Sequence, residues 1–98
     1  MKININAVHF RADKKLESFI IDKVEKLTSL FDGIVCSDVI LKVVNTDTPD
    51  NKVAEIRLEI RGSDLFAKKQ CKTFEEATDT AVEALRKQLV KYKEKQKE

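Results

Sequence analysis

Lys87, Lys91 and Lys95 recur four residues apart near the end of a 98-residue chain. In a helix this spacing stacks side chains along one line. Ammonium groups so aligned repel each other by about a few tenths of a kcal/mol per pair, so stability alone does not favour the arrangement. What such a line can do is neutralise phosphates, releasing condensed counterions and gaining salt-sensitive, largely sequence-independent affinity for nucleic acid. Arg86 and Lys93 add charge beside it, and Lys15, Lys23 and Lys26 gather along one border of an earlier apolar stripe. Two basic edges on two helices could then line a shared groove. The alternative reading is a solubilising surface, because lysine forms helix well and complements the dipole at a helix C-terminus.

The charge is unevenly spread. Nineteen Lys and Arg oppose seventeen Asp and Glu, a net charge of +2. Up to Leu85 there are 13 basic and 15 acidic residues, and after it 6 basic against 2 acidic, so a body of net −2 ends in a segment of net +4. Aromatic readout of bases is disfavoured: there is no Trp, Tyr92 is the one Tyr, and the five Phe fall mostly on apolar stripes. Recognition of RNA shape and backbone fits better.

Other chemistries find no support. Cys36 and Cys71 lie far apart without a second ligand near either, and His9 is the only histidine, so neither a zinc site nor a disulfide is expected. No glycine-rich phosphate loop, nucleophile elbow or paired-histidine motif occurs. The chain is therefore expected to be no enzyme, with no cofactor, metal or small-molecule substrate. No apolar run reaches the length of a membrane span and the N-terminus alternates instead of forming a signal core, so a cytoplasmic protein without a membrane partner is expected.

The elements that must carry these residues can be read from periodicity. Lys2 to Val8 alternates, with Ile3, Ile5 and Ala7 on one face, as a half-buried strand does. Asp13 is placed to cap a helix from about Lys14 to about Phe31 whose stripe is Leu16, Phe19, Ile20, Val24, Leu27 and Phe31, with Gly33 as its stop. Val39 to Val44 predicts a central strand, and Asn45 to Lys52, with the only proline, a loop. Next comes the cleanest alternation: Ala54, Ile56, Leu58 and Ile60 inward, Glu55, Arg57, Glu59 and Arg61 toward water. Arg61 to Asp64 reads as a tight hairpin and Leu65 to Cys71 as a fourth, weaker strand. Thr73 to Glu76 fits a capping box that opens a second helix, with a stripe of Phe74, Ala77, Ala81, Leu85, Leu89 and Tyr92. That helix extends to about Lys93 or beyond, with the tail from about residue 94 frayed. One domain over 1–98 is expected, since a chain this short supports a single core. The fold class is α+β in the order β-α-β-β-β-α, a four-stranded sheet with both helices on one face.

In this order and spacing the chain resembles the short ribosome hibernation promoting factors and the related ribosome-associated translation inhibitors of bacteria, over about its full length. The likeness is carried by Ile3-Asn4-Ile5, by Leu16-Glu17-Ser18-Phe19 with Asp22-Lys23-Val24-Glu25-Lys26-Leu27, and by Phe31-Asp32 and Val39-Ile40-Leu41-Lys42-Val43. Its most distinct part is Arg86-Lys87-Gln88-Leu89-Val90-Lys91-Tyr92-Lys93-Glu94-Lys95. The resemblance implies a double-stranded-RNA-binding-domain-like fold. It also implies a role in stress or stationary phase: binding the small ribosomal subunit and its 16S rRNA in the channel used by mRNA and tRNA, and blocking initiation. Lys23, Lys26, Lys87, Lys91 and Lys95 match basic positions of the family; Arg86 and Lys93 are added from local charge. Ala84 stands where relatives often carry lysine, Glu75 where an aromatic is common, and Ala7 where glycine is frequent. Long members append a dimerising domain and the inhibitor subgroup an acidic tail, so a short promoting factor, monomeric off the ribosome, is expected. The competing functional class is a protein-interaction module, such as a modulator of a transcription factor, using the exposed sheet face or the long loop.

Overall fold

The computed structural model describes residues 1–96. The elements follow as β1 (Lys2–Ala7), α1 (Lys14–Glu25), a 3-10 turn (Lys26–Ser29), β2 (Ile34–Val43), β3 (Lys52–Ile60), β4 (Ser63–Cys71) and α2 (Phe74–Gln96). The strands form one sheet in the order β1-β2-β3-β4. β1 pairs parallel to β2, and β2, β3 and β4 are successively antiparallel. This is the α+β arrangement the periodicity predicts.

The core lies between the sheet and the helices. Ile20, Val24 and Leu27 meet Val39, Leu41, Ala54, Ile56 and Leu58 of the central strands and Ala77, Ala81, Leu85 and Leu89 of α2. Alternation in β3 sends Ile56, Leu58 and Ile60 into this layer and leaves Arg57 and Glu59 on the open face. The two-residue hairpin between Ile60 and Ser63 places Gly62 at φ 79°, a conformation that costs glycine nothing. His9 is the described non-glycine residue in the same region, at φ 63°, where the chain turns from β1 toward α1.

Both helix starts are capped as their sequences suggest. The Asp13 carboxylate accepts from the Leu16 N–H at 2.8 Å, and the Thr73 hydroxyl accepts from the Glu76 N–H at 3.0 Å. The end of α1 differs from the expected run to Phe31. α-Helix stops at Glu25, because the hydroxyls of Thr28 and Ser29 donate to the carbonyls of Glu25 and Lys26, at 2.6 and 2.7 Å, and the backbone tightens into a 3-10 turn. Gly33 is also not a left-handed stop. A Cβ there would lie 2.5 Å from the Phe31 ring, so glycine is what lets that ring fold back over the chain.

β2 begins at Ile34, well before the expected Val39, and carries an irregularity between Ile34 and Cys36 that absorbs Val35. α2 is continuous to Gln96. The fraying expected of the tail concerns in part residues 97–98, which lie outside the described residues.

Candidate nucleic-acid interface

Three contacts fix how α2 lies on the sheet. Gln88 Nε2 donates to the Phe66 carbonyl of β4 at 2.9 Å, and the Tyr92 hydroxyl donates to the Arg61 carbonyl at 3.0 Å. The Phe31 ring meets the Tyr92 ring edge-on, centroids 5.5 Å apart at 80°. With the inward stripe of Ala81, Leu85 and Leu89 these contacts leave α2 no rotational freedom, so its remaining side chains have defined directions.

Lys87, Lys91 and Lys95 lie on the flank of α2 that turns toward β4. Lys91 and Lys95 line a shallow concavity with Leu65 of β4, Gln88 and Tyr92, and Lys87 lines the next one with Lys69 of β4, Thr80 and Ala84. At 1.5 Å per residue the three lysines span about 12 Å along the axis. All three are exposed, and among the described residues none has a carboxylate within ion-pairing distance. They form a positive edge without direct ion pairs, although the Lys87 charge also acts on Glu83 one turn back.

The other expected site residues are differently placed. Lys23 of α1, 29% exposed, pairs with Asp79 of α2 at 3.2 Å and lies over the Phe19 ring, 5.5 Å from its centroid. By the 100° advance per residue Asp79 is on the side of α2 opposite to Gln88 and away from Lys91 and Lys95, so α1 packs toward that side, although Asp79 also borders the concavity of Lys87. The groove expected between two basic helix edges is therefore not formed: the strong edge of α2 faces β4 instead of α1. Lys26 is exposed and pairs with Asp22 one turn back, at 3.7 Å. Arg86 donates from Nε to both carboxylate oxygens of Glu83 at 3.1 Å. Those hydrogen bonds hold the Glu83 carboxyl below its ordinary range, so it stays ionised. Lys93 is exposed on the Arg86 side of the helix.

Lys69, read from the sequence as part of β4 and not among the expected site residues, borders the same concavity as Lys87. In β4, Leu65, Ala67, Lys69 and Cys71 share the helix side by the period of two, and Lys69 is half-buried there, whereas Lys68 is exposed on the open face.

The open sheet face has its own polar network. Arg57 donates to Asp38 at 2.7 Å, Asn4 Nδ2 donates to the other oxygen at 3.1 Å, and Lys42 pairs with Glu55 at 2.7 Å. Asp38 is held below the usual carboxylate range, first by the Asn4 hydrogen bond and then by Arg57. The Cys36 thiol donates to Glu59 at 2.9 Å, which raises its pKa and keeps it protonated. Opposite charges here answer one another across strands, so this face offers phosphates no net positive field, although Phe66 is 51% exposed on it. Among the described residues no group of three or more His, Cys, Asp or Glu is placed to hold a metal ion, and no helix is long and apolar enough to cross a membrane.

Comparison with known proteins gives one consistent result. The family model described as Sigma 54 modulation protein / S30EA ribosomal protein matches residues 3–97. A ribosome hibernation promoting factor of Pseudomonas putida is 32% identical over 96 residues, covering 98% of this chain and 90% of that protein. One from Klebsiella oxytoca is 26% identical over 98 residues, covering 100% of this chain and 99% of that protein. Among solved structures, the N-terminal domain of Thermus thermophilus Protein Y superposes with a TM-score of 0.82 at 19% identity, over 94% of this chain and 99% of that one. A ribosomal subunit interface protein from Coxiella burnetii gives 0.83 at 19% identity, over 95% and 98%.

Proposed function

The chain belongs to the Sigma 54 modulation protein / S30EA ribosomal protein family, and on that premise we propose that it is a ribosome-binding translational silencer of the hibernation promoting factor type. It binds the small ribosomal subunit through 16S rRNA phosphates and occludes the channel used by mRNA and tRNA. No chemical step is involved: silencing is steric, and the sheet is the rigid body that fills space while α2 holds the RNA. The observation that carries this reading is the line of Lys87, Lys91 and Lys95, without direct ion pairs among the described residues, on a helix held to the sheet by Gln88 and Tyr92. Lys26 and Lys93 are further exposed charges outside this line. Exposed ion pairs such as Lys26 with Asp22 are worth only about 0.2–1 kcal/mol, so exchanging that partner for a phosphate costs little. The relatives' printed names, a hibernation promoting factor and a ribosomal subunit interface protein, support the same partner.

Salt titration tests the reading. With three phosphates neutralised, a plot of log affinity for small subunits against log salt should have a slope of roughly −2 to −3, so raising salt from about 50 to about 200 mM should weaken binding roughly 20- to 60-fold. A flat plot, or binding insensitive to RNase together with capture of a transcription factor, would instead favour the protein-interaction class.

A further inference from the structure

Lys69 of β4 and Lys87 of α2 line one concavity at the seam between the two elements, together with Asp79, Thr80, Glu83 and Ala84. Two lysines beside two carboxylates would ordinarily pair off. Here they do not. Asp79 is bound to Lys23 at 3.2 Å, and Glu83 is bound through both oxygens to Arg86. Both carboxylates line the concavity, and Glu83 feels the Lys87 charge, but each is already bound by another cation, and among the described residues Lys69 and Lys87 have no direct ion-pair partner. An anion entering the concavity meets two ammonium groups whose neighbouring carboxylates are already bound elsewhere.

We infer that Lys69 and Lys87 form a binding site for one RNA phosphate at the β4–α2 seam, with Lys23 and Arg86 acting as positioning residues that engage Asp79 and Glu83 and so keep them from pairing with the two lysines. The inference rests on the ribosome-binding reading above and deepens it. It continues the line of Lys87, Lys91 and Lys95 by one ammonium group past Ala84, supplied from the neighbouring strand. It also gives Lys23 and Arg86 a part in RNA binding that requires no direct contact with the backbone.

The test is salt-dependent binding to purified small ribosomal subunits. Lys69→Gln should weaken binding several-fold at low salt and make the log–log slope shallower by about 0.7–0.9, one phosphate contact. Lys69→Arg keeps the charge and should keep the slope, while Lys68→Gln, on the opposite face, should leave binding as it was. Lys23→Gln frees Asp79 to pair within the seam and should also weaken binding. Adding Asp79→Asn to that variant should restore it, which a lost direct Lys23–phosphate contact would not allow. An unchanged slope in Lys69→Gln overturns the site, and a Lys23→Gln/Asp79→Asn variant as weak as Lys23→Gln overturns the positioning role. Either result with a salt-sensitive wild type leaves the ribosome-binding reading standing. Wild-type binding that ignores salt defeats that reading and this one together.

Discussion

Changing Lys87, Lys91 and Lys95 together to glutamate is expected to abolish cosedimentation with small ribosomal subunits. The substitution removes three positive charges and installs three negative ones along about 12 Å of helix. Loss of three phosphate contacts alone predicts a drop of two orders of magnitude or so at low salt, and repulsion of the RNA backbone adds to it. The helix itself should survive, because all three side chains are exposed and glutamate forms helix about as well as lysine. Glutamate near a helix C-terminus opposes the dipole by about 0.3–1 kcal/mol each, so the corresponding glutamine variant separates charge from stability. It should lose most of the affinity with a near-native melting temperature. Undiminished cosedimentation of the glutamate variant would remove the lysine edge from any part in binding.

Leu89→Ala should have the largest effect on stability while sparing the RNA surface chemically. Leu89 is fully buried on α2, one helical turn from Leu85 and opposite the flank that carries Lys91. Truncating a buried leucine leaves a cavity that the sheet cannot close, at a cost of about 2–5 kcal/mol. Against a typical total of about 5–15 kcal/mol for a domain of this size, that is a large share. The melting temperature should fall by roughly 10–20 °C, followed by circular dichroism. Below the new midpoint the lysines still line the same helix face, so binding to small subunits should persist and then vanish with the melt. A melting curve unchanged by the substitution would contradict the packing of α2 on the sheet through this stripe.

How much of this could be read from the sequence depends on what each feature rests on. β3 was legible because Ala54, Ile56, Leu58 and Ile60 alternate with charged residues and the sheet has one wet face. Asp13 and Thr73 were legible because a helix start needs a local acceptor and both sit at the required offset. The early end of α1 was not: apolar spacing continues through Leu27 and Phe31, and only the hydroxyls of Thr28 and Ser29 divert the backbone. The first residues of β2 escaped notice because Ser37 points inward, where its buried hydroxyl has no partner among the described residues, and Val35 sits in the irregularity, 55% exposed. The line of Lys87, Lys91 and Lys95 is a property of one helix and was visible. Which way it faces is a tertiary fact, set by Gln88 on Phe66 and by Lys23 on Asp79, pairs separated by tens of residues. That is why two basic edges suggested a groove between the helices, whereas the structure turns the stronger edge toward β4 and brings Lys69 to it.

The most direct test of the central claim is the structure of the chain bound to the small ribosomal subunit. The edge formed by Lys87, Lys91 and Lys95 should lie against the rRNA backbone within the mRNA and tRNA channel, with Lys69 beside it and the open sheet face of Asn4, Asp38, Arg57 and Phe66 turned away. A complex in which that sheet face contacts the rRNA, or in which the chain sits on a ribosomal protein outside the channel with its α2 lysines in solvent, would contradict it.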